Sequence, residues 1–188
     1  MDDEYLILED SVRNSYGSVV WSHKIQEKQA DIYLSRYKCM EIINIIAASL
    51  TSVGIVSLLF TDGFWLKIIS SLLSFISIFI SAFFKSFNLQ ELVSSHNRTA
   101  QKLLCVRDEL KFLLMLISLK QKDINELTDM YKRIVTKLDK IYADAPRTSD
   151  KAVDKARIAL NITKDNDFTD VEIDRNLPDT LKRRKDNE

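Results

Sequence analysis

Side chains able to do chemistry are few in this sequence, and they lie far apart. His23 and His96 with Cys39 and Cys105 are its whole supply of nitrogen and sulfur metal ligands. Neither pair has the close spacing that a zinc site draws from each half of its ligand set. His96 falls on an apolar seam, the position of a hydrogen-bonded structural imidazole. Only three glycines occur, so there is no glycine-rich phosphate loop. No order of serine, histidine and acid suggests a nucleophile. The acidic stretch "KDNDFTD" (Lys164 to Asp170) resembles a calcium loop until one looks for the turn glycine and the bidentate glutamate, which are missing. Lysine and arginine number 27 against 27 acids and are interleaved with them, so no nucleic-acid face is expected. The expectation is a protein with no catalytic, cofactor or metal site, and not an enzyme.

What remains is hydroxyl chemistry in an oily setting. The run "IISSLLSFISIFISAFF" (Ile68 to Phe84) has no charge, yet carries Ser70, Ser71, Ser74, Ser77 and Ser81. On a helix Ser70, Ser74, Ser77 and Ser81 fall within an arc of roughly 60°. Leu72, Phe75, Ile76, Phe79 and Phe83 occupy the opposite side. An earlier apolar run has a weaker counterpart in Asn44, Ala47, Ala48, Thr51 and Gly54. Two roles compete for these residues, Ser70, Ser74, Ser77, Ser81, Asn44 and Thr51 above all. Small side chains let helices approach and hydroxyls bond across the contact. Alternatively the stripe lines a water-filled path, which two helices cannot enclose without a ring of copies.

The elements that position these groups follow from the charge pattern. Overall the chain is neutral and 46% hydrophobic, which resembles an ordinary globular protein. The charges are absent, however, from Ile42 to Phe60 and from Ile68 to Phe84. The first run as a helix rises roughly 28 Å, close to the hydrocarbon thickness of a bilayer. The second is long enough if it starts at Phe64, with Lys67 reaching the interface. "TDG" (Thr61 to Gly63) is a turn signal between them. A soluble helical hairpin would need a charged face, and neither run has one. The acidic "MDDEY" start does not suggest a secretory signal peptide. Lys24, Lys28, Arg36 and Lys38 precede the hairpin and Lys85, Arg98, Lys102 and Arg107 follow it, which makes the side of both termini cytoplasmic. Cys39 and Cys105 are then expected as free thiols in a reducing compartment.

The fold class expected is all-α: a two-span transmembrane helical hairpin with long amphipathic cytoplasmic helices and short C-terminal helices. Residues 1–41 form a cytoplasmic part whose helix runs from Ser18 into the first span. Residues 42–85 form the hairpin, with spans near 42–60 and 64–84. Residues 86–145 form a coiled-coil-like region, and 146–188 a C-terminal extension and tail. Its seam steps by threes and fours from Leu89 through His96, Leu103 and Val106 to Leu110, Leu113 and Ile117. It resumes at Ile124, Leu127, Tyr131, Ile134, Leu138 and Ile141. "KQKD" (Lys120 to Asp123) interrupts the seam, with Asp123 as N-cap. Leu110, Leu113, Ile117, Ile124, Leu127, Tyr131, Ile134 and Leu138 are the candidate oligomer seam, and packing within one protomer is equally open. Pro146 stops the helix. Ser149 can cap the next, "TDVE" (Thr169 to Glu172) is a capping box, and Pro178 suits the first turn of a last helix.

The hairpin, "HNRTAQKLLCVRDELKFLL" and "IYADAPRTSDKAVDKARIAL" together resemble the SLATT domains, two-transmembrane effector modules of bacterial conflict and antiphage systems. "FTDVEIDRNLP" is similar to the C-terminal extension of the subfamily found beside reverse transcriptases. The resemblance covers roughly 11–182. It implies an inner-membrane effector that oligomerises, forms a pore or disrupts the bilayer, and kills or arrests the infected cell. It also implies a separately encoded sensor, a reverse transcriptase or a nucleotide-signalling protein. The alternative is a non-conducting membrane anchor or scaffold that recruits a defence partner. The expected partners are lipid and further copies of the chain.

Overall fold

The apolar stripe that builds the first helix begins well before Ser18. Leu8, Val12 and Val19 are buried, with Tyr5 and Tyr16 packed beside them, at the threes, fours and sevens of one helix face. That packing outweighs the cost of about 1 kcal/mol for Gly17 in a helix interior, and acidic residues at the start suit the helix dipole. The result is α1 (Asp2–Ser57), one unbroken helix from the N-terminal part into the first apolar span. It is about 84 Å long. The structure, a computed structural model, describes residues 2–57, 63–86, 88–120, 122–165, 169–178 and 182.

Among the described residues there are six helices and no strand: α1, α2 (Phe64–Ser86), α3 (Leu89–Leu119), α4 (Ile124–Ala143), α5 (Asp150–Asn161) and α6 (Asp170–Asn176). Helices α2, α3 and α5 each pack on α1, and α4 packs on α3 and α1. Two of these helices, α1 and α2, are long and apolar enough to cross a membrane. They expose Ile42, Ile46, Leu50, Val53, Leu72, Phe75 and Phe79, the composition of a lipid-facing surface. The end of the first span beyond Ser57, the turn at Thr61 and Asp62, the helix after Pro178 and the last residues lie outside the described part.

Local chemistry sets the breaks. Lys120 closes α3 in the left-handed conformation (φ 49°), its N–H donating to the Ile117 carbonyl. The Asp123 carboxylate then caps α4 by accepting from Asn125 N–H at 3.0 Å. Beyond Ala143 the chain turns at Asp144 and runs without regular structure to Ser149. Ser149 sits at the N-cap of α5 but does not cap it through its side chain. Its N–H and hydroxyl both donate to Gln29 Oε1 on α1, at 2.9 and 2.7 Å. The α6 capping box is complete in both directions between Thr169 and Glu172.

The core of the bundle beyond the apolar spans is the seam. Leu103, Val106, Leu110, Leu113 and Leu127 are inaccessible to solvent; Ile117, Ile134, Leu138 and Ile141 are buried with them. Each such side chain contributes roughly 1.5–3 kcal/mol by leaving water. Tyrosines fix the register at the rim. Tyr5 Oη donates to the Lys122 carbonyl (3.0 Å), and Tyr131 Oη donates to the Ser11 carbonyl (3.2 Å) while meeting Ser15 Oγ at 2.8 Å. Tyr142 Oη meets Ser22 Oγ at 3.0 Å. Helix α5 needs less room, because its buried face is Ala152, Ala156 and Ala159.

Candidate functional site: the polar face of the hairpin

Small residues set the distance between α1 and α2. Gly54 is buried against α2, and a Cβ there would fall inside the contact radius of Ser70 Oγ and 3.2 Å from Ser70 Cβ. Ser70 is itself buried at 6% exposure. In an antiparallel pair with Gly54 opposite Ser70, two turns further along put Ala47 opposite Ser77. Both fit, since Ala47 is buried and Ser77 Oγ is shielded from solvent. The backbones meet where the side chains are smallest.

The hydroxyls of α1 mostly satisfy themselves. Thr51 Oγ1 donates to the Ala47 carbonyl at 2.8 Å, and Ser49, Ser52 and Ser57 likewise bond one turn back. Such a bond lets a hydroxyl sit in hydrocarbon without an unmet donor. Two polar atoms have no such relief: Asn44 Oδ1 and Ser77 Oγ are buried with no hydrogen-bond partner. Beside the packed line runs an open groove lined by Thr51, Lys67, Ser70, Ser71 and Ser74, with Ile55, Phe75 and Ile78 as its apolar wall.

The candidate residues therefore divide. Ser70, Ser77 and Asn44 belong to the contact between the two helices. Thr51 and Ser74 are half-buried and share the groove with Ser70, and Ser81 is exposed. Of the seam residues, Leu110, Leu113, Ile117, Leu127, Ile134 and Leu138 are buried inside one protomer, and Ile124 and Tyr131 pack against that core. Cys39 and Cys105 are exposed free thiols. No three His, Cys, Asp or Glu side chains among the described residues come together as metal ligands.

A second polar cluster lies where the C-terminal segment meets α1; His96 is in it as the buried, hydrogen-bonded imidazole expected on the seam, but its partners were not foreseen. Gln26 is buried and donates through Nε2 to the Pro146 carbonyl at 3.2 Å. Its Oε1 lies 2.5 Å from His96 Nδ1. Because that oxygen can only accept, the neutral imidazole carries its proton on Nδ1. Tyr33 lies against the ring at 5.5 Å between centroids. Lys24, also buried, pairs with Glu27 at 3.1 Å and with Asp165 at 3.8 Å, and Lys28 reaches the same Asp165 carboxylate. The signal in the sequence was polarity: Gln26 and Gln29 are uncharged polar residues beside the incomplete apolar stripe that Trp21, Ile25, Ile32 and Tyr33 make on this part of α1.

Burial holds the His96 imidazole below the usual histidine range. Burial does the same to His23, against an opposing pull from Glu27. The unfolded chain takes up these protons first as the pH falls below about 6.5. Stability from the neutral rings is thus fully present above that pH and is lost as the pH falls through the lowered folded values. The melting temperature at pH 5.5 should lie below that at pH 7.5. The double variant His23→Gln with His96→Gln should flatten the difference. A wild-type transition that holds or rises on acidification would contradict the assignment.

Against known proteins, the model of one family, the SMODS and SLOG-associating 2TM effector domain family 4, matches residues 8–172. No curated protein and no solved structure matches the chain.

Proposed function

The chain belongs to the SMODS and SLOG-associating 2TM effector domain family 4, a family of membrane effectors of conflict systems, and from that premise we propose that copies of it assemble in the bacterial inner membrane and permeabilise it. The observation that supports this reading is the groove on the hairpin flank, where Thr51, Ser70, Ser71 and Ser74 place hydroxyls inside otherwise apolar spans. One hairpin encloses no channel. Several hairpins with their grooves turned inward would line a polar path with walls of small side chains. Assembly is triggered, in this reading, by a separately encoded sensor, and the outcome is arrest or death of the infected cell.

The test is membrane potential on induced expression. Wild-type protein should depolarise cells, and Ser71→Leu with Ser74→Leu should abolish depolarisation, because leucine dewets the path while favouring insertion. Equal depolarisation by the double variant would remove the groove from the mechanism. Failure of the wild type to depolarise would favour the anchor reading instead.

The flanking lysines and arginines support an orientation with both ends cytoplasmic. In a Cys39→Ser, Cys105→Ser background, Gly63→Cys should react with a membrane-impermeant maleimide added outside spheroplasts. Glu126→Cys should not. The reverse pattern would invert the topology.

A further inference from the structure

Helix α5 is held to α1 in a different way from the rest of the bundle. The seam closes on leucine and isoleucine side chains, whereas the buried face of α5 is Ala152, Ala156 and Ala159. Apolar stabilisation scales with the area taken from water, and a methyl group brings far less than a leucine. The rest of the hold is polar. Gln26 Nε2 donates to the Pro146 carbonyl, and the Ser149 N–H and hydroxyl donate to Gln29 Oε1. Lys24 and Lys28 share the Asp165 carboxylate.

These bonds can be given up without stranding a buried charge. Lys24 keeps Glu27 at 3.1 Å, and Lys28 keeps Glu27 and Asp31, both at 3.7 Å. Gln26 keeps His96. Ser149 and Asp165 are already exposed, and Gln29 uncovered by α5 can turn to water. Ser149 gains by release. It stands at the N-cap of α5 in an extended conformation while its hydroxyl serves Gln29, and once free that hydroxyl can cap its own helix. From Asp144 to Ser149 there is no regular structure to break. A seam leucine has no such second state, because its exposure returns only apolar area to water.

We infer that residues 145–165 are a strap that holds the protein in a closed, inactive arrangement and opens as a unit while the seam stays folded. The place of the strap gives it that leverage. Gln26 bonds Pro146 and His96 at once, so the strap completes a clasp between α1 and α3. Helix α1 runs on into the first apolar span. Helix α3 begins three residues after α2 ends, and His96 stands about 10 Å along it. The clasp thus joins the helices that lead to both spans. Strap closed, the two are fixed against each other; strap open, they can shift as copies assemble. This rests on the permeabilisation proposed above and names its regulation, a two-state element biased by whatever binds the open form better.

The experiment uses the full chain in vesicles of phosphatidylethanolamine and phosphatidylglycerol, with Cys39→Ser and Cys105→Ser as background and potassium release as the readout. Lys28 and Asp165 meet at 3.9 Å, so Lys28→Cys with Asp165→Cys can be bridged by a short reducible bismaleimide. Bridging should cut release at least tenfold, and reduction of the bridge should restore it. Ala156→Glu, which forces α5 off α1, should raise release severalfold over the background chain. Hydrogen exchange on the unbridged chain should show the α5 amides opening at least tenfold faster than those of Leu103 to Leu113. Release that ignores the bridge, or that falls equally when either single-cysteine variant meets the reagent, would overturn the strap and leave permeabilisation standing. So would α5 amides as slow as the seam, or seam protection lost in Ala156→Glu. No release from any variant would overturn both.

Discussion

Replacing Leu127 with aspartate is expected to abolish the cooperative melting of the helical bundle outside the spans. Leu127 has no solvent exposure and packs in the core among the buried side chains of α3 and α4. Removing its side chain alone costs about 2–5 kcal/mol. Burying an unpaired carboxylate adds several kcal/mol unless the site opens. Domain stabilities are about 5–15 kcal/mol, so the sum reaches the size of the whole. Thermal unfolding followed by circular dichroism in detergent should show the bundle transition lost at 37 °C and below. The neighbouring Glu126→Gln, on the exposed side, should melt within about 0.5 kcal/mol of wild type. An unchanged transition in Leu127→Asp would mean that the seam is not the core of one protomer. Loss of toxicity in this variant is then a consequence of unfolding, and tells nothing about assembly.

The second large effect is expected at Gly54. A leucine there has to displace Ser70, whose Oγ and Cβ already crowd the position. Overpacking of a tight contact costs about 1–3 kcal/mol, and between helices in lipid there is no hydrophobic drive to hold the pair together against it. The hairpin should open. In the background without native cysteines, Ala47→Cys and Ser77→Cys should form a disulfide across the wild-type hairpin. Gly54→Leu should reduce its yield at least tenfold. Gly54→Ala should reduce it less, and Ser70→Gly should restore the Gly54→Ala variant, since it removes the crowding atoms. A full yield in Gly54→Leu would place the α1–α2 contact elsewhere.

Both spans were legible in the sequence because lipid imposes a simple rule, the absence of charge over a bilayer's thickness. The break at Asp123 and the box at Thr169 were legible because a cap needs only its own few residues. Ser149 shows where that locality ends. As a cap type in the right place it was readable, but its hydroxyl is drawn away to Gln29, more than a hundred positions earlier. The start of α1 was misplaced at Ser18 because Gly17 and the polar Ser15 obscure a stripe that becomes visible only with α3 and α4 packed on it. Periodicity behaves alike for Leu110 to Leu138. It tells that one side of a helix is covered, and does not tell whose side chains cover it. The serines divide for a related reason: an arc of small residues marks a close approach, but only Gly54 opposite Ser70 reveals which of them meet.

The continuity of α1 has a mechanical consequence. A helix resists twisting about its own axis, since each turn is locked to the next by main-chain hydrogen bonds, and a loop would absorb the same torque. The shaft from Tyr5 to Gly54 has no loop. A turn imposed at the tip, held to the α3–α4 turn and to α4 through Tyr5 and Tyr131, is therefore not lost in a loop on its way toward Gly54. There Ser70 sits in the notch of Gly54, so the two helices meet with no side chain between them to slip.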